Sequence, residues 1–205
     1  MSQANQQTLE SYNSSIAEYF EAASPEVSTA IKEWIDVNLA QLTPGGRILE
    51  IGSGTGIDAA YMESQGFVVE MTDASQSFVD RLTSEGRQAR MLNALTDDLG
   101  SGYDMIYASA VLLHFTRDET AAVLKKMHQA LKPSGRLAFS VKSGEGEELT
   151  TRKLNAPRYF CYWQQAALEP VVAAAGFTHI DFIFDRSRGV DKDPFLLISA
   201  VKETK

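Results

Sequence analysis

The stretch "GGRILEIGSGTG", residues 45–56, decides the fold: a turn at Gly45 and Gly46, a short isoleucine- and leucine-rich run, then glycines at 52, 54 and 56. A short apolar run bounded by turn residues reads as a buried strand, and glycines behind it let the chain turn tightly into a helix. That helix follows at once in "IDAAYMESQGF" (57–67), closing at Gly66. The unit then repeats. "FVVEMTDAS" (67–75) reads as a second strand ending on an acidic residue, and "QSFVDRLTSEG" (76–86) as a second helix ending on glycine. A weaker third strand is expected in "RQARMLNAL" (87–95) and a mostly apolar fourth in "YDMIYASAVLLHF" (103–115). A helix in "RDETAAVLKKMHQALKPSG" (117–135) should stop before Pro133, ahead of a fifth strand in "RLAFSVK" (136–142). Short apolar strands alternating with helices predict an α/β fold with a doubly wound, mostly parallel sheet and helices on both faces.

Outward from this core, Tyr12, Ile16, Tyr19 and Phe20 recur at helical steps, as do Val27, Ile31, Trp34, Ile35 and Leu39 after Pro25, so two amphipathic helices with a break are expected over 3–42. Beyond the fifth strand, "SGEGEELTTRKLN" (143–155) reads as a mobile loop. "YWQQAALEPVVAAAGF" (162–177) reads as a helix, and "THIDFIFDRS" (178–187) with "PFLLISAVK" (194–202) as neighbouring antiparallel strands. No linker divides the chain. The expected organisation is a helical lid over 1–42, a body over 43–205, and an insertion over 143–162 that carries the substrate loop.

Composition narrows the function classes. A chain of 205 residues with 44% hydrophobic and 22% charged residues suits one folded domain. One cysteine, Cys161, excludes an internal disulfide and a cysteine zinc site, and no metal is expected. Nineteen Lys and Arg against 27 Asp and Glu give a net charge of −8, the wrong sign for binding phosphate backbones, so no nucleic-acid partner is expected. The opening "MSQANQQTLESYNS" has neither basic residues nor an apolar run, and no stretch reaches the roughly 18–20 apolar residues of a membrane span. A cytoplasmic protein with no membrane partner is expected; the oligomeric state leaves no signature.

Doubly wound sheets bind ligands beyond the carboxyl ends of their strands. Gly52, Gly54 and Gly56 stand there, where backbone N–H groups face a ligand at the positive end of the next helix; an ordinary strand-to-helix turn would also place glycines so. Asp73, about 20 residues beyond Gly52 and at the end of the second strand, stands where a carboxylate accepts hydrogen bonds from ribose hydroxyls. It would serve equally as the N-cap of the following helix.

With these residues in hand, the chain resembles the class I S-adenosylmethionine-dependent methyltransferases, in particular their small-molecule group. "ILEIGSGTG" is similar to the family's first-strand motif, with Glu50 in its acidic position, and "ALKPSGRLAFSV" (130–141) to its helix-to-fifth-strand segment. The resemblance implies a Rossmann-like seven-stranded sheet in the order 3-2-1-4-5-7-6 with strand 7 antiparallel, and S-adenosyl-L-methionine as cofactor. It assigns Gly52, Ser53 and Gly54 to the methionine portion, Asp73 and Ala74 to the ribose, and Asn93, Ala94 and Leu95 to the adenine turn. Asn93 stands where many relatives carry Asp. Ala108 and Ser109 match the end of the fourth strand beside the methyl group, and His114 falls in an "LLHF" segment similar to the family's "LHH" or "LHF" runs. "SYNSSIAEYF" looks like the aromatic lid helix of small-molecule relatives, which makes Tyr12 and Tyr19 candidate lid residues that would equally pack an amphipathic helix.

The implied chemistry is in-line transfer of a methyl group to a small-molecule acceptor, in which alignment and exclusion of water do most of the work. If the acceptor needs deprotonation, His114 is the candidate general base, because imidazole titrates near neutrality; a buried structural histidine is the alternative. "APRYFCYW" (156–163) gathers Arg158, Tyr159, Phe160, Tyr162 and Trp163. Arg158, Tyr159 and Tyr162 are the candidate substrate residues, with Arg152 and Lys153 nearby for an anionic group; burial of the aromatics against the sheet is the alternative. An NAD-dependent oxidoreductase fits less well, since the glycine spacing is G-x-G-x-G and no Tyr-x-x-x-Lys pair follows the fourth strand. A protein methyltransferase and a non-catalytic cofactor-binding protein are the remaining alternatives.

Overall fold

The computed structural model describes residues 1–152, 154–187 and 193–203. Lys153, one of the basic residues expected near the substrate, lies outside them. Seven strands form one sheet: β1 (Arg47–Ile51), β2 (Val68–Asp73), β3 (Ala89–Met91), β4 (Tyr103–Ala108), β5 (Leu131–Lys142), β8 (Phe177–Asp185) and β9 (Phe195–Lys202). Their order is β3-β2-β1-β4-β5-β9-β8. Counted without the two strands of a separate hairpin, this is the expected 3-2-1-4-5-7-6. The pairs β1–β2, β1–β4, β2–β3 and β4–β5 are parallel, and β9 runs antiparallel to both β5 and β8. The central strands are apolar on both faces because helices cover both: Ile48, Leu49, Met105, Ile106, Leu137 and Phe139 are all fully buried.

The helices are α1 (Gln3–Ser14), α2 (Ile16–Ala22), α3 (Thr29–Leu39), α4 (Ile57–Ser64), α5 (Gln76–Ser84), α6 (Arg117–Ala130) and α7 (Gln165–Ala174). Four differences from the sequence expectations bear on the site. The N-terminal 42 residues hold three helices, and only α1 and α2 lie over the strand ends. The third, α3, belongs to the body: Ile31, Trp34 and Ile35 are buried, and Trp34 Nε1 and Asn38 Nδ2 both donate to Ser199 Oγ on β9, at 3.0 and 2.9 Å. The fourth strand stops at Ala108 rather than running to Phe115. Ala110 takes a left-handed φ of 57°, its N–H donates to Ser140 Oγ at 2.8 Å, and a single 3-10 turn follows over Leu112–His114.

The fifth strand already begins at Leu131, with an irregularity between the Tyr103↔Leu131 and Met105↔Arg136 pairings. Finally, the stretch expected to be a mobile loop forms an antiparallel ribbon, β6 (Glu147–Thr150) against β7 (Arg158–Cys161). Its outer strand alternates exposed and half-buried residues while all four residues of β7 are buried, which is why the outer half looks like a polar loop in sequence.

Candidate functional site

The floor of the site is the junction between β1 and α4. Gly52, Gly54 and Gly56 all adopt positive φ, 72°, 53° and 73°. At Gly52 a side chain is excluded twice over, by that conformation and by Val111, whose Cγ2 would lie 2.4 Å from an added Cβ. Ser53 fastens the turn to β2: its N–H donates to the Thr72 carbonyl at 2.8 Å, and its Oγ accepts the Thr72 N–H at 3.1 Å. Asp73, at the end of β2, accepts the Gly54 N–H at 3.0 Å on Oδ2 and the Ser75 N–H at 2.8 Å on Oδ1. With about four acceptor positions on its two oxygens, the carboxylate can still take a further donor. Burial pushes the Asp73 carboxyl up to about 6, held back by those backbone donors.

A cavity of about 500 Å³ opens above this floor. Of the residues expected at the site, Gly52, Gly54, Asp73, Ala74, Asn93, Ala94 and Ser109 line it from the strand ends. Tyr12, Tyr19, His114 and Arg158 line it from the opposite side. Others support the wall without reaching it. Glu50 is buried beneath the glycine turn with Oε2 unpartnered, and burial, reinforced by Asp58, pushes its carboxyl up to about 8. Gly56 packs on Leu82, Ser53 is bonded as above, and Ala108 is buried in β4. Leu95 takes part through its N–H, which donates to Asn93 Oδ1 at 3.0 Å and fixes the turn.

Two expected substrate residues do not line the cavity. The Tyr159 side chain is buried behind β7, and Tyr162 turns outward to bond Glu148. Tyr159 contributes its backbone, because its carbonyl accepts from His114 Nδ1 at 2.7 Å and its N–H donates to Thr8 Oγ1 at 3.0 Å. His114 is therefore the Nδ1–H tautomer, and its Nε2 accepts the Tyr12 hydroxyl at 2.8 Å. Both ring nitrogens are engaged, and burial pushes the imidazole down to about 3, so it stays neutral at physiological pH. Of the two readings of His114, this arrangement is that of the buried histidine donating to a carbonyl, not that of a titrating base.

The roof is aromatic and tied down at both ends. Tyr12 meets Tyr19, Phe78 and His114 edge-on, with ring centroids 5.7, 6.0 and 5.4 Å away. Ser11 Oγ donates to the Pro157 carbonyl at 2.6 Å. On the other side Asn13 Oδ1 accepts the Ser77 N–H at 3.2 Å and the hydroxyl of the N-cap residue Ser75 at 2.8 Å, capping α5 in place of Ser75, whose side chain accepts no N–H of its own helix. Asn13, Phe78, Lys142 and Phe195 were not anticipated; each joins segments remote in sequence, and no local signal marks it. His128 packs on Phe177, away from the cavity, and Cys161 is buried and free. Among the described residues no cluster of His, Cys, Asp and Glu could hold a metal ion, and no helix is long and apolar enough to cross a membrane.

A mostly parallel sheet, a glycine turn behind its first strand and an acidic residue ending the second define a Rossmann-like cofactor-binding fold. The family is settled by sequence: the chain belongs to the methyltransferase-domain family, whose model matches residues 24–181. It is 30% identical over 105 residues to an uncharacterized methyltransferase of Synechocystis, covering 50% of this chain and 49% of that protein, so it spans about half the length of this curated relative. In fold it is similar to the Burkholderia thailandensis 1,6-didemethyltoxoflavin-N1-methyltransferase bound to 1,6-didemethyltoxoflavin and S-adenosylhomocysteine (TM-score 0.73, 20% identity, 100% of this chain and 92% of that one). It is also similar to phosphoethanolamine N-methyltransferase 2 of Haemonchus contortus in complex with S-adenosyl-L-methionine (TM-score 0.72, 14% identity, 92% and 57%). By family the chain carries a methyltransferase domain, and it shares its fold with solved structures bound to S-adenosylhomocysteine and S-adenosyl-L-methionine. The residues present fit that cofactor: a side-chain-free turn beneath the cavity and a carboxylate with lone pairs to spare at the ribose position.

Proposed function

We propose that the protein transfers a methyl group from S-adenosylmethionine to a small-molecule acceptor inside the cavity beneath α1. One observation carries this reading. The same cavity reaches from Gly54 and Asp73 to Phe160 and Arg158, so a cofactor and a compact acceptor share one chamber. Once bound, the cofactor supplies a methyl group on a sulfonium, already joined to a good leaving group.

The chain's own residues then bind, align and keep water out. Asp73 accepts from the ribose hydroxyls with the lone pairs its backbone donors leave free. Gly52 and Gly54 allow close approach of the backbone, and Asn93 with Ala94 faces the adenine. Tyr12 and Tyr19 close the chamber, which places the acceptor in line with the methyl carbon and excludes solvent. His114, neutral and bonded on both nitrogens, is assigned as a positioning residue: it fixes the Tyr12 hydroxyl by accepting its hydrogen bond rather than abstracting a proton from the acceptor.

The test is to incubate the purified protein with S-adenosylmethionine labelled in its methyl group and a cell extract, then separate small molecules by ultrafiltration. Label in the ultrafiltrate is expected. Label confined to precipitated protein would favour a protein acceptor, and no label in either fraction would favour cofactor binding without turnover.

A further inference from the structure

Arg158 opens β7 and is only 5% exposed, yet it lines the cavity. A buried guanidinium without a carboxylate is costly, because little in a protein interior replaces its hydration. Arg158 nevertheless belongs to none of the ion pairs among the described residues. Its Nε is buried and unpartnered, and Nη1 reaches only the Tyr12 hydroxyl, at 3.4 Å. What holds the charge otherwise is aromatic: it lies 5.1 Å from the Phe160 ring centroid and 5.7 Å from that of Tyr12.

The other basic residues of this wall differ. Lys142 Nζ is 2.8 Å from Asp193 Oδ2, and Arg152 is bonded to Glu148. His114, next to Arg158, is neutral. Among the described residues, the acceptor side of the cavity therefore carries one buried positive charge that no carboxylate answers. A guanidinium presents a planar fork of donors matched to carboxylate and phosphate oxygens.

We infer that Arg158 is the receptor for an oxyanion on the methyl acceptor, so the acceptors are molecules bearing a carboxylate or phosphate group. This rests on the methyltransferase reading above. It also selects between substrates, because a neutral molecule of the same shape would leave the charge buried and unanswered.

The test uses the protein saturated with S-adenosylhomocysteine and four small probes, benzoate and phenyl phosphate with benzamide and phenol as neutral counterparts, titrated by ligand-observed NMR. At least one anionic probe is expected to bind about tenfold or more tightly than its neutral counterpart, in line with a charge-assisted hydrogen bond. R158Q should abolish that preference and R158K keep part of it, with adenosylhomocysteine affinity in both within about twofold of wild type. Without ligand, R158Q should melt no lower than wild type, since an unanswered buried charge does not stabilise the empty protein.

Equal binding of anionic and neutral probes, or an anion preference that survives R158Q, would overturn the proposal. So would an R158Q protein that binds adenosylhomocysteine poorly and methylthioadenosine, which lacks the carboxylate, normally; Arg158 would then serve the cofactor's own carboxylate. Failure of wild type to bind adenosylhomocysteine would instead defeat the underlying methyltransferase reading, and this inference with it.

Discussion

The floor and the roof of the cavity are built on different principles. The floor, from Gly52 to Asp73, is made by backbone: two neighbouring parallel strands end side by side, and the Ser53 and Gly54 amides reach across to Thr72 and Asp73 over a loop-to-strand separation of about one strand-helix unit. The roof is made by side chains from opposite ends of the chain. Thr8, Ser11 and Tyr12 on α1 meet Tyr159, Pro157 and Arg158 at the hairpin. Backbone geometry repeats wherever the fold occurs, so the floor suits the constant partner, the cofactor. A roof assembled from side chains is free to differ, so it suits the variable partner, the acceptor.

Breaking the floor should have the largest effect. Gly52→Ala places a Cβ at 2.4 Å from Val111 Cγ2 in a left-handed conformation, and each fault costs on the order of 1–3 kcal/mol. The variant should lose roughly 2–5 kcal/mol in urea unfolding and bind no adenosylhomocysteine at concentrations that saturate wild type. A second probe of the floor is pH. Burial holds Glu50 protonated up to about 8, against 4.5 for the ordinary group. The folded state thus keeps this proton more firmly than the unfolded chain. The stability it contributes is fully present below pH 4.5 and is lost as pH rises through 8. Comparing wild type with E50Q by urea unfolding at pH 5, 7 and 9 should show wild type falling behind as pH rises; a pH-independent difference would contradict the burial argument.

The roof should respond more gently and in turnover more than in cofactor binding. H114F keeps the ring volume but frees the Tyr12 hydroxyl. It should lower kcat by about tenfold, the scale of one misplaced hydrogen-bonding group, without the loss of an ionisation near pH 6.5 that removing a titrating base would cause in the pH profile. Asn13→Ala removes the cap on α5 and should cost about 1 kcal/mol in unfolding, with a helix terminus left open rather than a cavity destroyed.

The same contrast explains what could be read in the sequence. The alternation of strands and helices, with the glycines and Asp73 at strand ends, was legible because it follows from local patterns: an apolar run, a turn residue, an acid at a strand end; the strand order came from the family resemblance. Glu50 and Ala108 belong to that pattern yet sit under the wall, since a strand alternates its side chains between the two faces of the sheet; Ser53 and Gly56, in the turn, face β2 and Leu82 instead. The roof was legible only in part. Tyr12 and Tyr19 showed their helical spacing, but nothing local indicated that α3 would leave the lid to pack on β9. Nor did the polar stretch after β5 announce a ribbon, because the strand that buries its residues, Arg158–Cys161, lies beyond it. His114 looked like a free base because the Tyr159 carbonyl and the Tyr12 hydroxyl that occupy its nitrogens come from 45 and 102 residues away.

The central claim, that this floor holds S-adenosylmethionine through Asp73, is tested most directly by isothermal titration of wild type and Asp73→Ala with S-adenosylmethionine, S-adenosylhomocysteine and NAD. Micromolar binding of the first two and none of NAD is expected. Asp73→Ala should weaken both by about 1–3 kcal/mol, the cost of a lost hydrogen-bonding charge. Binding of NAD alone, or adenosylhomocysteine affinity untouched by Asp73→Ala, would contradict that claim.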